Sequence, residues 1–193
     1  MFLFPTKGGA APWSEGDLKG GMSFPWQPRS ARSLDAACLS YSVFLPKDFA
    51  FHRGGTLPGL IGGQPDSQQT AHVPDISARI RWRSTGEGDV VLHAPDAQDQ
   101  VFGAGDRFVF PRGRWVKLDQ EIVLNTPKKN DGRLRLWVDG ALVVEAAELS
   151  LRATADQHLS GVAAQVYYGT TEAMTAAPQD TSVWMTPFEL RYQ

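Results

Sequence analysis

The chain has 193 residues, with 19 basic and 21 acidic side chains and a formal net charge of −2. This balance argues against general nucleic-acid binding, for which a strongly basic domain is expected. A single cysteine, Cys38, excludes an intrachain disulfide and a cysteine-rich zinc site. The 19 glycines and 13 prolines exceed the usual share of turn-forming residues, which favours short strands joined by turns.

The sequence shows no membrane-spanning or signal segment. No apolar run approaches the roughly 18 residues that a transmembrane helix needs, so we expect no membrane partner. Residues 1–7 are too short for the core of a signal peptide and carry no basic start. The compartment stays open, with a secreted or periplasmic location favoured if a signal peptide was removed. We expect a monomer.

The chain divides into an N-terminal arm and one domain. Residues 1–34 are rich in Gly, Pro and Ser and contain scattered aromatic residues. We expect an irregular arm packed on the domain, or a short edge strand, because fully disordered tails usually lack tryptophan. Residues 35–193 are expected to form a single domain.

From residue 35 onward, short strand-like segments alternate with turn signals. Asp139-Gly140 indicates a tight hairpin, and only residues 146–155 are compatible with a helical turn. The many short strands predict an all-β antiparallel two-sheet sandwich of the β-jelly-roll or concanavalin-like type. The expected strands span residues 38–45, 54–63 (a loop or bulged strand), 76–83, 89–94, 108–111, 114–124, 133–138, 141–145, 161–168 and 182–192.

The segment 76–83, ISARIRWR, alternates apolar and polar side chains. Successive side chains of a strand point to opposite faces, so Ser77, Arg79, Arg81 and Arg83 share one face, at intervals of about 7 Å. Like charges in a row repel, so each arginine needs a carboxylate partner or an anionic ligand. Two interpretations stay open: a solvated face paired to nearby acids such as Asp89, or a groove that binds a repeating polyanion.

The next strand carries a histidine. Asp89, Val91 and His93 share one face, and a hairpin between 76–83 and 89–94 would place His93 close to Arg79. A lone histidine on a strand is usually structural or simply exposed. A neutral imidazole can also act as a general base, so His93 is a candidate for that role.

A pair of tyrosines lies near the end of the chain, in Gln165-Val166-Tyr167-Tyr168. Alternation sends Gln165 and Tyr167 to one face of the strand and Tyr168 to the other. A packed tyrosine is the commoner outcome, but a phenol also suits sugar stacking and proton donation.

The remaining histidines, His52, His72 and His158, have no spacing typical of a metal site. The sequence contains no zinc-protease motif, acidic calcium loop or phosphate-binding glycine loop. We therefore expect no metal and no cofactor.

Residues 41–63, YSVFLPKDFAFHRGGTLPGLIGG, resemble the signature region of polysaccharide lyase family 14, in which LPG-x-x-GG is the distinctive part. The resemblance continues through residues 77–88, SARIRWRSTGEG, and residues 165–170, QVYYGT, and covers about residues 38–190. That family contains alginate and glucuronate-polymer lyases with a β-jelly-roll fold. The resemblance therefore implies a lyase whose partner is an acidic polysaccharide.

The resemblance also implies that Ser77 and Arg79 belong to the active cleft. Thr56 stands where the family has a lysine in Gly-Gly-Lys-Leu-Pro-Gly, and Val91 and His93 stand where it has a Tyr-x-Tyr pair. Three explanations stay open: the chemistry uses His93 with a tyrosine instead, the substrate differs, or catalysis has been lost.

We expect β-elimination of a uronate-containing polysaccharide of the alginate or glucuronan type in an arginine-lined groove. Arg79 would neutralise the uronate carboxylate, His93 would be the base and Tyr167 the acid. The alternatives are a non-catalytic carbohydrate-binding sandwich and a structural sandwich whose arginine row is ordinary surface. The expected substrate-binding residues are Arg53, Thr56, Ser77, Arg81, Gln165 and Tyr168.

Overall fold

The computed structural model describes residues 2–4, 20–31, 33–63, 74–95, 98–103, 105, 108–169 and 177–192. These ranges contain thirteen strands and one 3₁₀ turn at Arg29–Ala31. The strands are β1 Phe2–Phe4, β2 Met22–Trp26, β3 Ala36–Phe44, β4 Gly55–Gly63, β5 Ile76–Trp82, β6 Gly88–His93, β7 Gln100–Gly103, β8 Trp115–Val123, β9 Gly132–Val138, β10 Ala141–Leu149, β11 His158–Tyr168, β12 Thr181–Met185 and β13 Glu189–Tyr192.

The strands form two sheets that pack face to face. The seven-stranded sheet has the order β1-β12-β3-β8-β9-β10, with β13 also paired to β3, and the six-stranded sheet has the order β2-β11-β4-β5-β6-β7. All strand pairings in the described ranges are antiparallel. The prediction of an all-β antiparallel two-sheet sandwich is confirmed.

Alternation along the strands supplies one continuous core. In β5, the apolar residues Ile76, Ala78, Ile80 and Trp82 are all buried in it. The facing sheet contributes the alternate residues of β3, β8 and β9, such as Leu118. The core therefore lies between the sheets, and every second residue of β4, β5, β6 and β11 is left for the outer face of the six-stranded sheet.

Both predicted hairpins are present. β5 pairs with β6 in continuous register from Ser77 opposite His93 to Trp82 opposite Gly88. At the turn between β9 and β10, Asp139 and Gly140 have φ values of 49° and 84°. Two successive positive φ values define the tight turn whose twist matches that of the flanking strands.

Two local expectations are wrong, and a third segment is extended. Residues 146–149, which are compatible with a helical turn, instead complete β10. Residues 108–111 form no named strand and contribute only an isolated bridge between Glu87 and Val109. The expected single strand 182–192 is two strands, β12 and β13, interrupted where Pro187 cannot donate a ladder hydrogen bond.

The first part of the chain supplies sheet edges. β1 pairs with β12, and β2 pairs with β11. Residues 5–19, which make up much of the expected arm, lie outside the described residues. The division at residues 34 and 35 stays a prediction.

β4 contains a bulge that sets which side chains reach the outer face. Leu57 lies opposite Ile80 and Gly59 opposite Arg79, so Pro58 is an extra residue without a partner on β5. Its carbonyl accepts a 2.9 Å hydrogen bond from the hydroxyl of Tyr41, on the opposite sheet. Because of this extra residue, Thr56 and Gly59 share a face although they are three positions apart.

One buried amide joins the two sheets beneath the same region. Gln120 of β8 is fully buried; its Oε1 accepts a 2.9 Å hydrogen bond from the Leu60 amide, and its Nε2 donates a 2.9 Å hydrogen bond to the Ala78 carbonyl. Leu60 and Ala78 are opposite each other on β4 and β5. The side chain therefore satisfies backbone groups of both strands from the facing sheet.

The Gln120→Leu substitution should lower the free energy of unfolding by about 3 kcal/mol, because it leaves a backbone donor and a backbone acceptor buried without their partner. Chemical denaturation measures this loss. Lys117→Leu, at an exposed position of the same strand, is the control and should change stability by less than about 0.5 kcal/mol. Equal effects of the two substitutions would contradict a bridging role for Gln120.

Candidate active site

Polar side chains collect on the outer face of the six-stranded sheet. Because the even-numbered residues of β5 enter the core, its odd-numbered residues lie on this outer face. The register of the neighbouring strands brings further residues to the same face. The set comprises Thr56 of β4, Ser77, Arg79 and Arg81 of β5, Asp89 and His93 of β6, and Gln165 and Tyr167 of β11.

These residues lie in rows across the strands, which are about 4.8 Å apart. In one row, Tyr167 is opposite Thr56, Thr56 opposite Arg81, and Arg81 opposite Asp89. In another row, Ser77 is opposite His93. The sheet thus brings together the sequence-predicted residues Thr56, Ser77, Arg79, Arg81, His93, Gln165 and Tyr167 on one face.

Arg79 occupies the row between these two. It lies opposite Gly59 on one side and Val91 on the other. A Cβ on Gly59 would lie 1.8 Å from the carbonyl oxygen of Ala78, so no larger residue fits there without moving the backbone. The β4 side of Arg79 therefore has no directly opposed side chain.

Two of the three arginines of the row share one internal carboxylate. Asp89 is fully buried and receives hydrogen bonds from Arg81 Nε to Oδ1 (2.8 Å) and from Arg81 Nη2 to Oδ2 (3.0 Å). Arg83 Nε donates to the same Oδ2 at 2.8 Å. The interpretation that the arginines pair with a nearby acid therefore holds for Arg81 and Arg83, which Asp89 fixes, and the arginine-lined groove stays a prediction.

Arg79 stands apart from that cluster. Burial lowers the pKa of its guanidinium, while Tyr167 and Asp99 act in the opposite direction. Arginine stays protonated in proteins, so this half-buried group supplies a positive charge in a medium of reduced polarity. Tyr167, from the β11 side, and Asp99, from the β7 side, are among the groups that act on it electrostatically.

His93 is in contact with a carboxylate. Its Nδ1 lies 2.6 Å from Oδ1 of Asp99, and both side chains are partly open to solvent, at 40% and 53%. Asp99 immediately precedes β7 and was not predicted from the sequence. No strand or turn pattern in the connection after β6 indicates that its carboxylate returns to the imidazole.

Several outer-face side chains are buried although they are not part of the core. Thr56, Ser77, Gln165 and Tyr167 are each at most 4% exposed. Gln165 Nε2 donates a 3.2 Å hydrogen bond to the hydroxyl of Ser23, but its Oε1 is buried with no hydrogen-bond partner among the residues that the structure describes. A buried amide oxygen without a donor is a candidate acceptor for a ligand hydroxyl.

Two predicted binding residues lie elsewhere. Tyr168 points into the core, where its ring stacks on Phe49 with centroids 5.6 Å apart and its hydroxyl donates to the Ala50 carbonyl. Burial raises the pKa of this phenol. Alternation on β11 explains the position, since Tyr167 occupies the outer face. Arg53 is exposed in the turn before β4, outside the strand rows.

Among the residues that the structure describes, no group of three or more His, Cys, Asp or Glu side chains is arranged to hold a metal ion. No helix within the same residues is long and apolar enough to cross a membrane.

Several solved structures of polysaccharide lyases superimpose on this chain. The marine PL-14 alginate lyase from Aplysia kurodai superimposes with a TM-score of 0.77 at 25% identity, covering 100% of this chain and 82% of that one. Alginate lyase vAL-1 from Chlorella virus gives 0.79 at 20% identity, covering 100% and 84%. Endo-β-1,4-glucuronan lyase from the fungus Trichoderma reesei gives 0.64 at 14% identity, covering 96% and 79%. Comparison with curated proteins finds no significant match.

The two sheets are therefore those of a β-jelly roll, as expected from the sequence. The sequence profile described as polysaccharide lyase 14 matches residues 5–188. The chain belongs to polysaccharide lyase family 14, which confirms the resemblance recognised in the sequence.

Replacing Asp89 by Asn should lower the free energy of unfolding by about 3 kcal/mol, because two guanidinium groups lose their shared buried carboxylate. The estimate is at the low end for a broken buried ion pair, since Arg81 and Arg83 still reach solvent at 23% and 48%. Urea denaturation measures the loss. The control is Glu145→Gln, which removes an exposed partner of Arg135 and should change stability by less than about 1 kcal/mol. A loss at Asp89 no larger than the control would contradict its role.

Proposed function

We propose that this protein is a lyase that cleaves a uronate-containing polysaccharide, of the alginate or glucuronan type, by β-elimination on the outer face of the six-stranded sheet. Membership of the polysaccharide lyase family supports the reaction class. The observation that carries the proposal is the convergence on one face of a guanidinium, an imidazole and a phenol, Arg79, His93 and Tyr167.

The first requirement of the reaction is to neutralise the uronate carboxylate, so that the proton on the adjacent carbon becomes acidic. Arg79 is suited to this because its guanidinium matches a carboxylate with two parallel hydrogen bonds. Its half-buried position strengthens the attraction compared with water. Charge that grows on the carboxylate as the proton leaves is thereby stabilised, which is often the largest catalytic contribution.

The second requirement is a base. His93 is the imidazole of this face, one strand away from Arg79 and directly opposite Ser77. With its Nδ1 held by Asp99, its Nε2 is the nitrogen that remains to accept the substrate proton. Because the side chain is 40% exposed, a polymer can approach it from solvent.

The third requirement is an acid for the leaving oxygen, and Tyr167 is our assignment. When His93 takes the proton, the electron pair of the broken carbon–hydrogen bond forms a carbon–carbon double bond. The bond from the sugar to the glycosidic oxygen breaks at the same time, and Tyr167 donates a proton to that oxygen. No water or redox partner is consumed. Tyr167 lies in the row of Thr56 and Arg81, next to the row of Arg79 on the same face, which supports an acid and a neutralising group that act on one substrate.

The remaining predicted residues are proposed to bind sugar hydroxyls and charge. Thr56 and Ser77 present hydroxyls on the same face, and Gln165 offers its unpartnered Oε1. Arg81 contributes indirectly: with Arg83 it brings two positive charges against one negative charge on Asp89, which leaves the cluster with one positive charge near an anionic polymer. Arg53, at the strand end, would meet a neighbouring sugar.

A non-catalytic carbohydrate-binding protein is the alternative. It is favoured by the departures of Thr56, Val91 and His93 from the residues that the family resemblance implies. In that case the same face would hold an acidic sugar without cleaving it.

The decisive experiment incubates the protein with mannuronate-rich alginate, guluronate-rich alginate and glucuronan, and follows ultraviolet absorbance together with binding. If the protein is a lyase, the ultraviolet absorbance should rise with at least one polymer, because elimination creates a conjugated unsaturated uronate. Affinity should fall as salt is added, because the interaction is between charges. Binding without absorbance would establish the alternative, and salt-insensitive binding to a neutral glucan would contradict both.

Replacing His93 by Ala should reduce turnover of the cleaved polymer by at least about 100-fold, in line with the loss of a general base. The ultraviolet assay measures it directly. His52→Asn is the matched control, because His52 is an exposed histidine of a turn with φ 51°, a conformation that Asn tolerates. It should retain wild-type turnover. Near-wild-type elimination by the His93 variant would exclude the assignment.

A further inference from the structure

We infer that Asp99 is a positioning residue that holds His93 in the tautomer protonated at Nδ1, with Nε2 directed to the substrate proton. The inference deepens the proposed function and depends on it for its catalytic part. It starts from the 2.6 Å separation between His93 Nδ1 and Asp99 Oδ1, a contact of the base that no sequence pattern predicted.

The hairpin between β6 and β7 brings the two residues together. Leu92 of β6 is opposite Gln100 of β7, so His93 and Asp99 are the next residues beyond the paired ends of the two strands. The antiparallel register itself therefore sets their separation. A contact fixed by backbone pairing can orient a ring better than one made by two free surface side chains.

The chemistry of the pair decides which nitrogen carries the proton. An ionised carboxylate can only accept hydrogen bonds, so the imidazole nitrogen facing it must donate. In the neutral ring, protonation at Nδ1 leaves the lone pair at Nε2. Asp99 thus selects the tautomer in which the nitrogen remote from the carboxylate is the base.

Asp99 also acts on the charge of the reacting pair. After proton transfer His93 is an imidazolium with Arg79 on the neighbouring strand, and two positive charges repel. The carboxylate of Asp99 acts electrostatically on Arg79 and is in contact with the imidazole. It therefore offsets the positive charge that develops on His93. Ser77, directly opposite His93, is uncharged.

The exposure of the pair separates this role from folding. His93 and Asp99 are 40% and 53% exposed, and exposed ion pairs typically contribute less than about 1 kcal/mol to stability. Removing the carboxylate should therefore leave the fold intact while changing the imidazole.

The first test measures the tautomer without any substrate. Nitrogen-15 NMR of the histidine rings, with His93 assigned through the His93→Ala variant, should show Nε2 unprotonated in the neutral wild-type ring. In Asp99→Asn this preference should be lost, because an amide can donate to Nδ1 as well as accept from it. Glu145→Gln, which removes an exposed carboxylate of the other sheet, should leave the His93 signals unchanged. A wild-type ring protonated at Nε2, or an unaltered Asp99→Asn spectrum, would overturn the inference.

The second test is kinetic and uses a polymer that the wild-type protein cleaves. Asp99→Asn should lower kcat by about 10- to 100-fold, less than loss of the base itself, with KM changed by less than about threefold. Asp99→Glu should restore part of kcat. A rise in KM with unchanged kcat would show instead that Asp99 binds substrate. If no polymer is cleaved, the proposed function fails, while the NMR result still decides the tautomer.

Discussion

The buried carboxylate of Asp89 is the interaction on which the rest of the outer face depends. Arginines occupy three alternate positions along β5 and the residue after it. Without an internal anion these three guanidinium groups would repel one another, and each would need an anionic partner. Asp89 engages Arg81 and Arg83 at hydrogen-bonding distance. Arg79 lies in the row between that of Thr56 and Arg81 and that of Ser77 and His93. The line of arginines is therefore not uniform: Asp89 holds two of the guanidinium groups in one cluster, and Arg79 follows in the next row of the same face.

Much of the architecture follows from local rules. Period-two alternation correctly assigned the core and outer faces of β5 and β6, and the Asp139-Gly140 dipeptide correctly indicated a hairpin. The same rule separated Tyr167 from Tyr168. Among the strands that were missed or merged, β7, β12 and β13 are four or five residues long. Segments this short carry too little periodicity to be recognised, and tertiary pairing decides them.

The site was less predictable than the fold because its decisive contacts are not local in pattern. The Arg81–Asp89 bond depends on the register of a hairpin, and the burial of Asp89 depends on everything packed around it. Asp99 follows a stretch with no secondary-structure signal, and it reaches His93 only because β7 returns along β6. Gln165 could be placed on the correct face, but its unpartnered oxygen could not be foreseen without the position of Ser23.

The extra residue at Pro58 has a consequence for how this protein tolerates a change in length. Without Pro58, Thr56 would stand two positions from Gly59, which is the spacing of a regular strand, so Thr56, Leu57 and Gly59 would all keep their faces. Such a deletion would instead remove the carbonyl that accepts the hydrogen bond of Tyr41 from the opposite sheet. The bulge therefore serves the contact between the two sheets, and the arrangement of the outer face would survive the loss of this one residue.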